Sequence, residues 1–145
     1  MEAKELFIKT LIGQIRALDQ FGTWVNKSDE DLVKEKYVRT KEELKEIPII
    51  ADIDEMQIKD IRLIYQAVAL AFEKITGVMA SVVMEMSHEG FGRVVVFAND
   101  IVLCEKYFKD AHRFSFRTYE SLEEEGEKYL KKAQEKYNKY KLETV

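Results

Sequence analysis

Residues 78–105 read VMASVVMEMSHEGFGRVVVFANDIVLCE, and hydrophobic side chains recur at every second position along much of this stretch. In a β-strand such an alternation places Val82 and Met84 on one face and Val83 and Glu85 on the other. A period of two predicts strands rather than helix. The predicted strands cover about residues 78–86, 93–98 and 101–105.

Two short turns connect the predicted strands. Gly90 and Gly92 supply the backbone freedom that a tight reversal needs, and Asn99-Asp100 is typical of a two-residue hairpin turn. Three consecutive strands joined by short turns form an antiparallel meander.

The middle strand of this meander is hydrophobic on both faces. Val94 and Val96 share one face, whereas Val95 and Phe97 share the other. A sheet with one solvated face would carry polar residues at alternate positions. We therefore expect helices to cover one face and a second copy of the chain to cover the other.

Hydrophobic residues at helical spacing flank the strand region on both sides. Ile61, Val68 and Phe72 lie on one stripe of a long segment that ends at Gly77. In the last helical segment, Gly126 would allow a neighbour to approach closely. The predicted helices cover about residues 3–19, 29–35, 41–46, 55–76 and 119–140. The predicted fold class is α+β, with several helices packed on one face of a three-stranded antiparallel β-meander, in a single domain over residues 1–145.

The composition argues against several classes of protein. The chain has 145 residues and a net charge of −4, so no overall positive field attracts nucleic acid. No apolar run approaches the length of a membrane span. Charged residues interleave with the apolar ones at the N-terminus, which is unlike a signal peptide. We expect a cytoplasmic protein that binds neither nucleic acid nor membrane.

The turn between the first two strands contains the first candidate site. His88 can serve as a base, an acid or a metal ligand, and Glu89 and Arg93 lie close to it in sequence. A turn histidine that hydrogen-bonds its own loop, a solvated glutamate and a structural salt bridge are the alternative interpretations. Arg93 opens the central strand, so we expect it to need a carboxylate or phosphate partner.

Two further clusters add candidates for the same ligand-binding cleft. Asp110 precedes His112 by two residues and could orient its imidazole, and Arg113 follows directly. A capped turn with Arg113 in solvent is the alternative. The third cluster is Trp24, Asn26 and Lys27, which precede a predicted helix N-terminus of the kind that favours anions. A tryptophan that anchors the loop against the core is the alternative. The candidates for the cleft are thus His88, Glu89, Arg93, His112, Arg113, Trp24, Asn26 and Lys27.

The sequence identifies no metal site and no cofactor. Two histidines do not complete a zinc site within one chain, and no phosphate loop or dinucleotide fingerprint is present. Cys104 lies among apolar residues of the third strand, which is typical of an inert core thiol.

Six stretches in this order resemble the NifX-associated nitrogen-fixation protein family. They are FGTW at 21–24, NKSD at 26–29, IPII at 47–50, EKITG at 73–77, MSHEGFGR at 86–93 and DAHRF at 110–114. The resemblance implies a product of a nitrogen-fixation gene cluster in diazotrophs. It also implies helices on one side of a three-stranded antiparallel sheet, a homodimer through the other side, and a charged cleft near the dimer interface.

Two functions are compatible with these observations. The first is a dimeric accessory factor that binds a partner protein, such as another nitrogen-fixation protein, or a cofactor precursor in nitrogenase maturation. The second is an enzyme that acts on a small anionic metabolite, in which Arg93 and Arg113 hold the anion and His88 or Glu89 transfers a proton. They differ in whether these side chains converge on a closed pocket or spread over an open surface.

Overall fold

The described part of the protein contains three strands and four helices of nine or more residues. The computed structural model describes residues 2–39, 42–43, 55–86, 92–108 and 116–144. The elements in chain order are α1 (Ala3–Ala17), α2 (Asp29–Tyr37), α3 (Glu55–Thr76), β1 (Ser81–Met86), β2 (Gly92–Ala98), β3 (Ile101–Phe108) and α4 (Tyr119–Thr144). Residues 42 and 43 are helical, and the remainder of the helix predicted over 41–46 lies outside the described residues.

The strands form one antiparallel sheet in the order β1-β2-β3. At the β2–β3 turn, Asn99 has a φ of 55°, in the left-handed region that asparagine tolerates better than most residues. Ala98 and Ile101 are paired on either side of this turn. The predicted α+β fold with an antiparallel meander is confirmed.

A β-bulge shifts the register between β2 and β3. Phe97 pairs with Val102, but the next residue, Val96, pairs with Cys104, so Leu103 is the extra residue. The insertion of one residue moves every later side chain of β3 to the opposite face of the sheet. The bulge thus places Cys104 beside the buried Val96.

The helices pack on one face of the sheet, here called the inner face. Val94 and Val96 point to this face and are fully buried in the main hydrophobic core. Helix α3 packs on β1 and β2, and α4 packs on β3. The fully buried side chains of Leu11, Phe72 and Leu122 link the helices in the same core. The alternation of β2 therefore anchors its even-numbered residues under the helices.

Gly126 in α4 allows a close approach to α1. A Cβ atom at this position would lie 2.1 Å from Cδ2 of Phe7, whose ring is fully buried. The predicted close approach at Gly126 is confirmed, and the neighbour is α1.

Side chains fix the starts of two helices. The Ser28 Oγ accepts a hydrogen bond of 3.2 Å from the Asp31 N–H at the start of α2. At the start of α4, Thr118 and Ser121 exchange reciprocal hydrogen bonds between side chain and backbone. These caps satisfy N–H groups that have no partner within the helix.

The observed element ends differ from the predicted ones by a few residues. Strand β1 begins at Ser81 rather than at residue 78, because Ser81 pairs with Phe97 close to the end of β2. Strand β3 extends to Phe108, since β2 begins at Gly92 and offers it a partner. Helix α1 ends at residue 17 and α4 continues to residue 144.

Candidate functional site

The sheet face opposite the helices, here called the outer face, carries Arg93, which is the candidate residue of the meander within the described part of the chain. Val95 and Phe97 alternate along β2 with Val94 and Val96, so their side chains point to the outer face. Val83 pairs with Val95 and therefore lies on the same face. Val95 is buried but lies outside the main core cluster, whereas Val83 is 42% exposed. Val102 of β3 is also exposed, at 40%. Both faces of β2 therefore carry apolar side chains, and the cover that we expect over the outer face stays a prediction.

Arg93 lies at one end of the outer face between two carboxylates. Its Nε donates a hydrogen bond of 2.8 Å to Glu105 Oε2, and its Nη2 contacts the same oxygen. Its Nη1 lies 3.5 Å from Glu85 Oε2 on the opposite strand. The hydrogen bond to Glu105 raises the pKa of Arg93. The carboxylate partner that the sequence led us to expect is therefore present on each neighbouring strand.

An aromatic ring completes this charged cluster. The guanidinium carbon of Arg93 lies 5.7 Å from the ring centroid of Tyr107, which is the residue of β3 that pairs with Arg93. This geometry is that of a cation–π contact. The cluster of Glu85, Arg93, Glu105 and Tyr107 holds the arginine in a defined orientation at the sheet surface.

A cavity of about 260 Å³ lies over the outer face. Its floor is formed by Val83, Val95 and Phe97, with Arg93 at one end and Asp100 at the other. An apolar floor with a few charged groups at its margins is the usual composition of a binding surface.

The end of the sheet near Arg93 is where we predicted a cleft. Met86, Gly92 and Phe108 are paired across the three strands, so β1 ends, β2 begins and β3 ends side by side. This arrangement of strand ends is the one that an antiparallel meander requires. The predicted members His88, Glu89, His112 and Arg113 lie outside the described residues, and their convergence stays a prediction.

The third predicted cluster lies in the loop between α1 and α2. The Asp19 carboxylate accepts hydrogen bonds from the backbone N–H groups of Thr23 and Trp24, at 2.9 and 2.8 Å. Arg16 donates to the backbone oxygens of Trp24 and Lys27 at 3.2 and 2.8 Å. The loop conformation is therefore fixed by two charged side chains, Arg16 in the last turn of α1 and Asp19 at the start of the loop.

The structure brings two of the three predicted loop residues together. The Lys27 Nζ lies 5.8 Å from the centroid of the Trp24 ring and 2.5 Å from Glu35 Oε2. Asn26 is exposed in the same loop. Trp24 is half-buried and packs against the core, which agrees with the alternative interpretation of an anchoring tryptophan.

Beside Trp24 lies a second cavity, of about 340 Å³. Leu63 and Trp24 line its apolar part, and the ion pair of Lys36 with Asp60 (2.9 Å) lines its polar part. This cavity shares no lining residue with the one at Arg93, so the described candidates occupy two separate places.

Several contributors to these sites were missed at the level of sequence. The partners Glu85, Glu105 and Tyr107 of Arg93 belong to this group, as does the Lys36–Asp60 pair. The contact of Glu85 with Arg93 was predictable, because the register of the β1–β2 hairpin places these two residues opposite each other. Glu105 and Tyr107 share a face with Arg93 only because of the bulge, and no local sequence pattern predicts the bulge.

Cys104 behaves as a buried thiol. Burial raises its pKa to about 12, against a smaller opposing effect of Lys132. Among the described residues, no group of three or more His, Cys, Asp or Glu side chains could hold a metal ion. No helix in the described part of the chain is long and apolar enough to cross a membrane.

Comparison with known proteins assigns the chain to a family. A family model described as "Protein of unknown function, DUF269" matches residues 24–143. The chain belongs to the DUF269 family. The resemblance to the NifX-associated nitrogen-fixation family is thereby confirmed, because DUF269 relatives are associated with nitrogen-fixation genes.

Similar proteins carry that association in their descriptions. The chain is 40% identical over 92% of its length, and 85% of the relative's, to the "UPF0460 protein in nifX 3'region" of Rhodobacter capsulatus. It is 38% identical over 87% of its length, and 84% of the relative's, to the "UPF0460 protein in nifX-nifW intergenic region" of Frankia alni.

A solved structure shows the same fold. It is a crystal structure from the cyanobacterium Cyanothece 51142, described as "a protein associated with nitrogen fixation from the DUF269 family". The TM-score is 0.83 at 35% sequence identity, covering 92% of this chain and 88% of the other.

Proposed function

We propose that this DUF269 protein is a cytoplasmic accessory protein of nitrogen fixation that acts as a homodimer. In this proposal it binds a partner protein or a cofactor precursor during nitrogenase maturation. The observation that supports it best is the outer face, a largely apolar sheet surface bordered by charged groups, in a chain whose relatives are named for nifX regions.

A second copy of the chain is the proposed occupant of the outer face. Val95 pairs with the exposed Val83, and Phe97 on the same face pairs with the exposed Val102, so these side chains form the apolar centre of a surface. The Arg93 ion pairs lie at its margin. An apolar centre with a polar rim is the usual anatomy of an interface, and a two-fold axis lets one patch pair with itself.

The ligand-binding part of the proposal lies at the sheet end near Gly92. His88 and Glu89 follow β1 in sequence, and His112 and Arg113 follow β3, so all four belong to segments adjoining this end. We favour the binding role over an enzymatic role on a small anionic metabolite, because Arg93 is already paired with Glu105 and Glu85. An arginine held by two carboxylates is a poor clamp for a substrate anion.

A complementation experiment tests the role in nitrogen fixation. The gene for the UPF0460 protein of Rhodobacter capsulatus is deleted and this chain is expressed in its place. We expect the deletion to slow growth on dinitrogen but not on ammonium, and we expect this chain to restore the rate. Equal growth of the deletion strain and its parent on dinitrogen would contradict the proposal.

A pull-down tests the binding role on the same strain. The tagged chain is purified from cells grown on dinitrogen and from cells grown on ammonium, and the bound metal is measured on each sample. We expect a nitrogen-fixation protein or a metal-containing precursor to copurify only from the first culture. The same copurifying proteins and the same amount of bound metal in both samples would argue against a role in nitrogenase maturation.

A further inference from the structure

Strand β1 lies at one edge of the sheet, with β2 on one side of it and no strand of the described chain on the other. In an antiparallel sheet, the N–H and C=O groups of alternate residues point away from the neighbouring strand. Apart from the ladder with β2, the structure shows no hydrogen bond from a described residue to the backbone of Ser81–Met86. We call this unpaired row of donors and acceptors the β1 edge. Such a row is a template for another extended chain.

The β1 edge lacks the bulge, the proline and the lysine with which proteins block a sheet edge. The register of β1 with β2 is unbroken over six pairs, and the strand reads SVVMEM. The opposite edge of the sheet is different. There β3 contains the bulge at Leu103, and Lys106 lies on the inner face, where it pairs with Glu125 of α4. Of the two edges, the β1 edge is therefore the one that is open to pairing.

The side chains of β1 indicate which extended chain fits beside it. On the inner face, Val82 and Met84 are only partly buried, although the valines of β2 next to them are fully buried. Apolar side chains of an added strand would cover the part that is still exposed. On the outer face, Glu85 is 60% exposed and belongs to a cluster in which two carboxylates share the guanidinium of Arg93. A cation beside Glu85 would therefore meet net negative charge.

We propose that the β1 edge binds an extended segment of a partner protein, which adds to the sheet as a fourth strand. The segment carries apolar side chains at alternate positions, toward the inner face, and a lysine or arginine beside Glu85. An extended backbone satisfies the alternating donors and acceptors of the edge, whereas a helix uses its own backbone groups internally. A second copy of β1 fits less well, because this strand contains no lysine or arginine for Glu85.

This surface goes beyond the proposed dimer. The β1 edge uses backbone groups at the side of the sheet, whereas the dimer rests on side chains of the outer face. A strand added to β1 would lengthen the sheet sideways and leave the outer face free for a second copy.

Amide hydrogen exchange of the intact chain, measured by NMR, tests this inference. The probe is the heptapeptide Lys-Val-Thr-Val-Thr-Val-Lys, whose valines share one face of a strand and whose lysines share the other. Without the peptide, we expect the amides of β1 to alternate between slow exchange, where they bond to β2, and fast exchange at the edge. With saturating peptide, we expect the fast amides to slow by roughly tenfold or more.

Two comparison peptides separate backbone pairing from charge, with affinities measured by fluorescence anisotropy of labelled peptides. In Lys-Val-Thr-Pro-Thr-Val-Lys the charges are kept but the proline removes an N–H and interrupts the strand, so we expect no binding. In Glu-Val-Thr-Val-Thr-Val-Glu the charges are reversed, and we expect an affinity several times weaker. Equal binding of the proline peptide, or fast amides of β1 that stay fast with the probe peptide, would overturn the inference.

A charge-reversed variant tests the contribution of Glu85. In Glu85→Lys we expect the glutamate peptide to bind more tightly than the lysine peptide, the reverse of the parent chain. Glu135→Lys makes the same change of charge at an exposed position of α4, and it should keep the preference of the parent chain. Slow exchange of the amides that bond to β2 confirms that Glu85→Lys is folded. An unchanged preference in this folded variant would contradict the proposed cation beside Glu85.

Sedimentation velocity separates this inference from the proposed dimer. The parent chain should contain the same number of subunits with and without the probe peptide. A monomeric parent chain whose edge amides are protected by the peptide would contradict the dimer alone. Edge amides that are already protected in the parent chain without peptide, with the protection lost on dilution, would show that a second copy occupies the β1 edge and would overturn this inference.

Discussion

At the scale of single residues, Arg93 shows how its surroundings decide the strength of an ion pair. Its side chain is 31% exposed, and the carboxylates of Glu85 and Glu105 are more exposed still. Water screens such pairs, so their contribution to folding is small compared with that of a buried pair. Arg93 therefore orients groups at the sheet surface more than it holds the fold together.

Replacing Arg93 by alanine should have a modest effect on stability. We expect the free energy of unfolding to change little, because the lost ion pairs are solvated and screened by water. Urea denaturation of Arg93→Ala and of Arg93→Lys measures the effect, with the lysine variant intermediate. A loss of several kcal/mol would show that the pair acts as a buried one.

Two buried groups that lose a proton at high pH predict that the folded protein is less stable at alkaline pH. Burial raises the pKa of Cys104 to about 12 and that of Tyr129 to about 12, above their ordinary values of 9.0 and 10.0. The folded chain thus keeps protons that the unfolded chain releases, so stability should fall as the pH rises from about 9 toward 12. Denaturation across this range checks it.

A variant without the thiol tests the contribution of Cys104. Cys104→Ala should lose less stability on going from neutral to alkaline pH than the parent chain does. The thiol of the folded parent should also react slowly with a disulfide reagent near neutral pH, and rapidly in urea. Rapid reaction of the folded chain would contradict the buried position.

The residue types at the site were readable from sequence, but their contacts were not. The need of Arg93 for an anionic partner followed from a charge at the start of a central strand. Its main partner, Glu105, is on the outer face only because of the bulge at Leu103. Without that extra residue, Cys104 would pair with Val95 and Glu105 would share a face with Val94.

At the scale of elements, two helical glycines differ in how closely a neighbouring side chain packs against them. Gly126 of α4 lies against the buried ring of Phe7 in α1, whereas a Cβ at Gly13 would have no atom within 4 Å. The first glycine is needed for helix contact. The second only adds backbone freedom to the unfolded chain.

These two positions give a paired prediction. Gly126→Ala should lower the free energy of unfolding by about 1–3 kcal/mol, because the methyl group would overlap Phe7. Gly13→Ala should raise it by about 0.5–1 kcal/mol, because alanine favours the helix. Thermal and urea denaturation of both variants measure the difference. Equal shifts in the same direction would contradict the packing described for α1 and α4.

The elements themselves follow from simple patterns. The period of two in β2 predicted that Val94 and Val96 share one face of the sheet, and both are fully buried under the helices. The helices followed from their apolar stripes and from end signals such as Ser28. Element ends were less accurate, because pairing with a neighbouring strand sets the length of β1 and β3.

At the scale of the whole molecule, the sheet has two apolar faces with different surroundings. The inner face belongs to the main core, and the outer face has the exposed valines Val83 and Val102 beside Val95 and Phe97. Exposed apolar surface of this kind is typical of association between proteins. The proposed homodimer would bury it without any change in the described fold.

Sedimentation velocity of the purified chain at micromolar concentration tests this proposed association. We expect the parent chain to sediment as a dimer and a variant with Val83→Lys and Val102→Lys to sediment as a folded monomer, because four buried charges would face one another across the two-fold axis. Val25→Lys, at an exposed position of the α1–α2 loop, is the control and should remain a dimer. A monomeric parent chain, or a double variant as dimeric as the control, would contradict association through the outer face.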